Sequence, residues 1–289
     1  MQRAHAARRV VDATLGHGGH AAAFRAAGAE VFGIDRDPDA MATARDRLGE
    51  PGMRYLQAPY ASADAVAAVA DFHPDFILLD LGVSSRQLDR EERGFSFRVG
   101  APLDMRMSSD GPDAADWLAL TPHAGLMQVF REYGDERRAR RLADEVVRRR
   151  GNAPFLISDD LVGAIRGALG PRSGPGDFAR IFQAVRIAVN DELGGLERVL
   201  PSFRDALDDG GTLAVISYHS GEDRVVKTAF RTWSAGCTCP GGLPQCACGH
   251  IPLGSVEPRR AIVADSAEVA ANPRARSARL RFFRTNHAG

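Results

Sequence analysis

Three aspartates in the first 80 residues each close a short apolar run. Asp12 follows Arg9-Val10-Val11, Asp35 ends Glu30-Val31-Phe32-Gly33-Ile34, and Asp80 ends Asp75-Phe76-Ile77-Leu78-Leu79. Carboxylates gathered at the ends of neighbouring buried runs can hold a cation or accept hydrogen bonds from hydroxyls. Asp12 also opens a glycine-rich turn, Asp12-Ala13-Thr14-Leu15-Gly16-His17-Gly18-Gly19-His20. Glycine lets a backbone bend tightly and approach a ligand, and a helix starting there offers free N–H groups. Asp35 lies 17 residues beyond Gly18, where an acid can take both ribose hydroxyls of an adenosine. Gly16-x-Gly18-x-x-Ala21 fits the dinucleotide fingerprint as well, and a purely structural turn has the same composition. Asp12 weighs against a dinucleotide, because it would repel a pyrophosphate. Three carboxylates suit a cationic sulfonium such as S-adenosylmethionine better than an anionic ligand.

Two other groups carry reactive side chains. Ser217-Tyr218-His219-Ser220 follows an apolar run, but the chain lacks the Gly-x-Ser-x-Gly elbow that would make a Ser–His pair a hydrolase nucleophile. Cys237-x-Cys239 and Cys246-x-Cys248 lie within 12 residues in a Gly- and Pro-rich stretch. Four thiolates can make a tetrahedral zinc site, yet Cys-x-Cys is tighter than the usual knuckle, so thiols without metal and redox-paired thiols stay open.

The elements that must position these groups alternate in type. Strands are expected at 9–12, 30–35, 53–57 and 75–80, with helices over 21–27, 39–48 and 61–70 between them. Such alternation gives βαβ units and a parallel sheet, an α/β Rossmann-like fold. From about residue 88 to 176 no strand pattern appears; helices are expected over 114–120, 126–133, 136–149 and 159–169. A long helix from Asp177 to about Leu207, a strand over 212–218, a helix over 222–233 and a final strand over 278–284 complete the pattern. The organisation expected is a discontinuous sheet domain, 1–87 and 177–289, carrying a helical insertion at 88–176.

Lys plus Arg equals Asp plus Glu at 37 each, which excludes a protein that grips nucleic acid by bulk charge but not one with a local basic face. Lys227 is the sole lysine. Arginines cluster at 137–138, 140–141 and 148–150, and again at 259–260, 274, 276, 279, 281 and 284. They read either as phosphate contacts or as a solvated face paired with Glu136, Asp144 and Glu145. Phe95, Phe97, Met105 and Met107 read as packing residues before stacking platforms. No apolar run approaches the ~18 residues of a membrane helix, no apolar leader opens the sequence, and the clustered cysteines differ from a secreted disulfide framework. A reducing, cytoplasmic compartment is expected.

Taken together, these segments resemble a known family. Besides the glycine turn and Asp35-Arg36-Asp37-Pro38, they include Leu79-Asp80-Leu81-Gly82-Val83-Ser84-Ser85-Arg86-Gln87-Leu88-Asp89, Glu92-Arg93-Gly94-Phe95-Ser96-Phe97 and Pro102-Leu103-Asp104-Met105-Arg106-Met107. Arg180 to Leu193, Ser217 to Arg224 and Asn272-Pro273-Arg274-Ala275-Arg276-Ser277 follow in order. In nearly its whole length the sequence is similar to the RsmH/MraW family of 16S rRNA cytosine-N4 methyltransferases. It departs from the family at Tyr60 and Tyr218, where Phe is usual, at Gly221, where Leu is usual, and in lacking the His-x-Pro-Val pattern ahead of the first strand.

The resemblance implies an S-adenosylmethionine-dependent class I methyltransferase acting on 16S rRNA in the small ribosomal subunit; the sequence leaves monomer and homodimer open. It implies cofactor contacts at Gly18, Gly19, His20, Asp35, Tyr60, Asp80 and Gln87. Methyl transfer to N4 of cytosine is limited by a nitrogen whose lone pair conjugates with the ring. Groups that accept hydrogen bonds from the amine would help, and Asp80, Ser84 and Ser85 near the fourth strand end are the candidates. His219 reads either as a base for the amine proton or as a hydrogen-bonded residue shaping the pocket. No metal is needed for this chemistry.

Overall fold

The computed structural model describes residues 7–82, 94–95, 97–108, 111–237, 239 and 248–286. The chain divides after residues 82 and 192 into a sheet unit (1–82 with 193–289) and a helical unit (83–192).

Eight strands of the described residues build one sheet in the sheet unit: β1 (Arg9–Asp12), β2 (Glu30–Asp35), β3 (Met53–Gln57), β4 (Phe76–Asp80), β5 (Thr212–Ser217), β6 (Gly254–Val256), β7 (Ile262–Val263) and β8 (Arg279–Thr285). The order is β3-β2-β1-β4-β5-β8-β6, with β7 also on β8. Strands β1 to β5 pair in parallel, whereas β8 runs antiparallel to β5. The direction in which strands are added reverses between β1 and β4. In open α/β sheets that reversal leaves a crevice at the carboxyl ends where ligands bind. The register there is Val10–Phe76, Val11–Ile77 and Asp12–Leu78, so the two strand ends lie side by side.

Apolar runs covered on both faces explain the central strands. One core joins Val11, Phe32, Ile77, Leu79 and Val215 to Phe203, Phe230 and Phe283; the opposite face joins Val10, Val31, Leu78 and Ala214 to Met41 and Phe282. The helices over this sheet begin where side chains satisfy their first N–H groups. Asp37 accepts from Asp39 N–H (3.0 Å) at the start of α2 (Pro38–Leu48), and Ser62 accepts from Ala65 N–H (3.2 Å) at α3 (Ala63–Phe72). The first helix, α1 (Gly19–Ala26), begins on the glycine turn.

The helical unit contains α4 (Ala114–Leu120), α5 (His123–Glu132), α6 (Ala139–Arg150), α7 (Ser158–Leu169) and α8 (Pro175–Asn190). Its core gathers Leu118, Leu126, Phe130, Leu142, Val146 and Ile165 with Phe178, Ile181, Phe182 and Val185. Those last four lie on α8, so the boundary of this unit falls after residue 192 and not at 176. The helix expected to run unbroken from 177 to 207 is two helices, α8 and α9 (Glu192–Ala206). Asp191 between them adopts a left-handed φ of 49° and stops α8. Asn190, at the end of α8, accepts from Met107 N–H (2.8 Å) and donates to Met105 O (2.8 Å), fixing a loop in which Met105 itself is left-handed. Met105 and Met107 are buried, and Phe97 meets Phe178 and Phe182 edge-on, so these residues pack the unit.

After β5, α10 (Ser220–Trp233) covers the sheet, and α11 (Ser266–Ala271) precedes the last strand. Strands β6 and β7, helix α11 and the turn over 273–277 have no counterpart in the sequence reading, being short and largely exposed. No helix of the described residues is long and apolar enough to cross a membrane.

Candidate functional site

The three strand-end aspartates converge in the sheet unit. Asp12 is 1% exposed; its Oδ1 accepts weakly from Thr14 N–H (3.4 Å), and its buried Oδ2 meets no hydrogen-bond donor among the described residues. Burial pushes the Asp12 carboxyl up to about 7, helped by the nearby charges of Asp80 and Asp35 and opposed by His20 and the Thr14 N–H. Thr14 also accepts from Asp80 N–H (2.7 Å), which ties the ends of β1 and β4 together.

Asp80 is the centre of a small network. One oxygen accepts from the Tyr218 hydroxyl (2.9 Å); the other lies 3.3 Å from His20 Nε2. The hydrogen bond to Asp80 raises the His20 pKa despite the opposing effect of burial. Burial and the same carboxylate raise the Tyr218 pKa, so its phenol keeps its proton and acts as donor.

Asp35 braces the turn and its own loop with one hydrogen bond to each oxygen, which leaves further lone pairs: Oδ2 accepts from Gly16 N–H (2.7 Å) and Oδ1 from Asp37 N–H (2.9 Å). Burial raises its pKa against the pull of these two N–H groups. Gly18 is left-handed (φ 75°) at the start of α1, and a Cβ there would lie 2.7 Å from Leu48 Cδ1, so the turn demands glycine. A Cβ on Gly19 would meet no heavy atom within 4 Å, so open space faces the first turn of the helix. Tyr60 lies on the loop after β3, half-buried and packed on the sheet core. His219 caps α10: Nδ1 accepts from Glu222 N–H (3.4 Å), Nε2 lies 3.1 Å from Glu222 Oε1, and Glu222 Oε2 accepts from Tyr218 N–H (2.7 Å).

The structure therefore brings Gly18, Gly19, His20, Asp35 and Asp80 to the carboxyl edge of the sheet where the strand order reverses, with His219 one residue beyond Tyr218, the partner of Asp80. Ser84, Ser85 and Gln87 lie outside the described residues. Sequence reasoning does not single out Thr14 or Tyr218 as partners of Asp80; a hydroxyl two residues after one strand-end acid, and another just after β5, are the signals available. Among the cysteines, the Sγ atoms of Cys237, Cys239 and Cys248 lie within 4.8 Å of one another, and Cys246 lies outside the described residues.

Chemically, the crevice suits a ligand with a positive charge and vicinal hydroxyls. An S-adenosylmethionine molecule fits on three counts. Asp12 Oδ2 is buried and meets no hydrogen-bond donor among the described residues, Asp35 stands at the end of the neighbouring strand, and open space lies before Gly19.

Comparison with known proteins adds an independent line. A model described as the MraW methylase family matches residues 3–286. The chain is 56% identical over 284 residues to a protein from Gemmatimonas aurantiaca named ribosomal RNA small subunit methyltransferase H, covering 96% of this chain and 90% of the relative. It is 47% identical to a protein of the same name from Geobacter sp. strain M21, covering 94% and 90%. A solved rRNA methylase from Streptococcus thermophilus aligns over 97% of this chain and 87% of that one, with 12% identity and a TM-score of 0.37.

The Asp12 environment makes a prediction about stability. A carboxyl with a raised folded pKa contributes stability that is fully present below its unfolded value, 3.8, and is lost as pH rises through about 7. Asp12→Asn should therefore gain on the native chain between pH 4 and 8, by a few degrees in Tm on the order-of-magnitude scale for a chain of this size. Parallel thermal melts across that range read the difference; curves that keep a constant gap contradict the assignment.

Proposed function

This chain belongs to the MraW methylase family, and from that membership we propose that it transfers a methyl group from S-adenosyl-L-methionine to the exocyclic N4 of a cytidine in the decoding region of 16S rRNA. The observation that carries the proposal is the acidic crevice, in which Asp12 lacks a partner for one buried oxygen while Asp80 and Asp35 close the neighbouring strands. Bound S-adenosylmethionine supplies an electrophilic methyl group on a sulfonium. Asp12 and Asp80 would supply negative potential for its cationic part, Asp35 an acceptor for its ribose hydroxyls, and Gly18, Gly19 and His20 the turn that would hold it. Tyr60 offers a flat face for an adenine ring, and Gln87 is a further polar contact.

The demanding part of the chemistry belongs to the nucleophile. Cytosine N4 is conjugated with its ring, so an acceptor for the amine hydrogens and a fixed near-attack geometry do the most to lower the barrier. Asp80 already accepts from Tyr218 and lies against His20, which fixes its orientation while leaving lone pairs for the amine. Ser84 and Ser85 follow it in the chain and are the accompanying acceptors. The ring of His219 is engaged with Glu222 at the start of α10, so it positions the loop after β5; the N4 proton becomes acidic once the methyl arrives and needs no strong base. The target base must leave its stack to reach such a crevice.

The helical unit is the proposed rRNA-recognition element. Several arginines there are internally engaged: Arg148 and Arg149 pair with Glu145, Arg150 donates to Leu118 O and Thr121 O, and Arg138 donates to Leu169 O. Arg137, Arg140 and Arg141 are exposed and make no ion pair among the described residues. They are available to phosphates. Two of the C-terminal arginines are structural: Arg281 is buried against Asp223 (2.8 Å), and Arg284 donates to Gly210 O (3.1 Å). The cytoplasm, where small subunits are found, is the expected compartment.

Two measurements test this reading. Incubation with methyl-labelled S-adenosylmethionine should label small subunits lacking the modification, and nucleoside analysis should recover N4-methylcytidine from the 16S rRNA. In that assay Ser84→Ala and Ser85→Ala should lower turnover while cofactor affinity holds. Label on DNA alone, or on another nucleoside, overturns the substrate assignment. Separately, Arg137→Gln, Arg140→Gln and Arg141→Gln should each reduce the slope of log affinity for small-subunit RNA against log salt by about one unit per lost phosphate contact, leaving cofactor binding unchanged. An unchanged slope removes that face from the interface.

A further inference from the structure

We propose that Cys237, Cys239 and Cys248 form a thiolate site for a zinc ion that clips the segment after α10 to the approach of β6. The residues are far enough apart in the chain that the fold, not local spacing, brings Cys248 back to the other two. Their sulfur atoms all lie within 4.8 Å of one another, and Cys248 Sγ is 3.8 Å from Cys237 Sγ. Two thiolates at the ~2.3 Å zinc–sulfur distance of a tetrahedral site are about 3.8 Å apart. A disulfide would need about 2.05 Å, and none of the three cysteines is in one. The observed separation thus matches the edge of a metal tetrahedron and not a redox pair.

Two further observations favour the thiolate form. The Cys239 backbone N–H donates to Cys237 Sγ (3.4 Å), and a donated hydrogen bond stabilises the charged sulfur over the neutral thiol. Two residues beyond Cys248, His250 Nε2 is buried and has no hydrogen-bond partner among the described residues, which leaves a nitrogen donor one short stretch of chain from the thiolates.

The place of the cluster gives the ion a role. Leu253 N–H donates to Trp233 O (2.9 Å), so the chain leaves α10 and returns to the same point. The residues next to that return bury little: Ile251 is 65% and Leu253 40% exposed. A return point that buries so little apolar surface is one that a cross-link can hold. Binding exchanges the thiol protons for the ion and releases them to solvent, with no change of oxidation state; affinity therefore rises with pH. The reactive crevice contributes no ligand, so the site is structural and separate from methyl transfer.

The test uses the full chain. Purified under reducing conditions, it should carry about one zinc per chain by elemental analysis. The chelator-stripped chain titrated with cobalt(II) should show a thiolate-to-cobalt charge-transfer band and the intense visible bands of tetrahedral coordination. Cys237→Ser, Cys239→Ser and Cys248→Ser should each lower cobalt affinity by about tenfold or more. Less than about a tenth of an equivalent of zinc together with no charge-transfer band overturns the proposal. So does a triple serine variant that binds cobalt with the native spectrum. The cobalt titration of the native chain decides the matter even if the serine variants fail to fold.

Discussion

A carboxylate buried without enough partners is the constraint around which the sheet unit is organised. Asp12 sits at the end of β1 with one oxygen bonded weakly to its own loop and the other to no donor among the described residues. An isolated charge in such surroundings is costly, and a protein ordinarily answers by neutralising the group or pairing it. Here the upward push on Asp12 shows the first response in the chain alone. A cationic ligand would supply the second. The acid is thus a cost carried by the fold and recovered on binding, the pattern expected of functional sites.

The rest of the crevice follows from the sheet. Parallel pairing of β1, β2 and β4 brings three carboxyl termini to one edge, and the strand order reverses between β1 and β4, beside Asp12. Side chains from distant segments then lock the edge. Thr14 holds the Asp80 N–H, Tyr218 holds the Asp80 carboxylate, and Glu222 holds the Tyr218 N–H. The chain reaches Tyr218 only after completing the helical unit, so Asp80 is gripped by both halves of a discontinuous sheet. The Tyr218 hydroxyl makes the contact with the Asp80 carboxylate.

Much of this was legible from residues alone where one physical signal dominated. The bounds of β1, β2 and β3 coincide with short apolar runs, and Asp12 and Asp35 close two of them, because a strand buried on both faces has few other compositions available. The three acids were legible for the same reason. The break at Asp191 was not, since a left-handed aspartate leaves no mark on helical periodicity; nor were β6 and β7, which are too short and exposed to carry an apolar pattern. The contacts of Asp80 with Thr14 and Tyr218 span 66 and 138 residues, which spacing arguments do not reach. The arginine clusters were ambiguous by composition, and the structure sorts them individually: Arg281 and Arg150 are engaged internally, whereas Arg140 and Arg141 are exposed and make no ion pair among the described residues.

Calorimetry of S-adenosylmethionine binding addresses the central claim most directly, run between pH 5.5 and 7.5 in two buffers of different ionisation enthalpy. If the cation is received by a carboxylate that is largely protonated beforehand, binding releases a proton from the protein and tightens as pH rises through this interval, and both effects diminish in Asp12→Asn. Binding that is absent, or that proceeds with no proton released and an affinity flat in pH, would contradict the account.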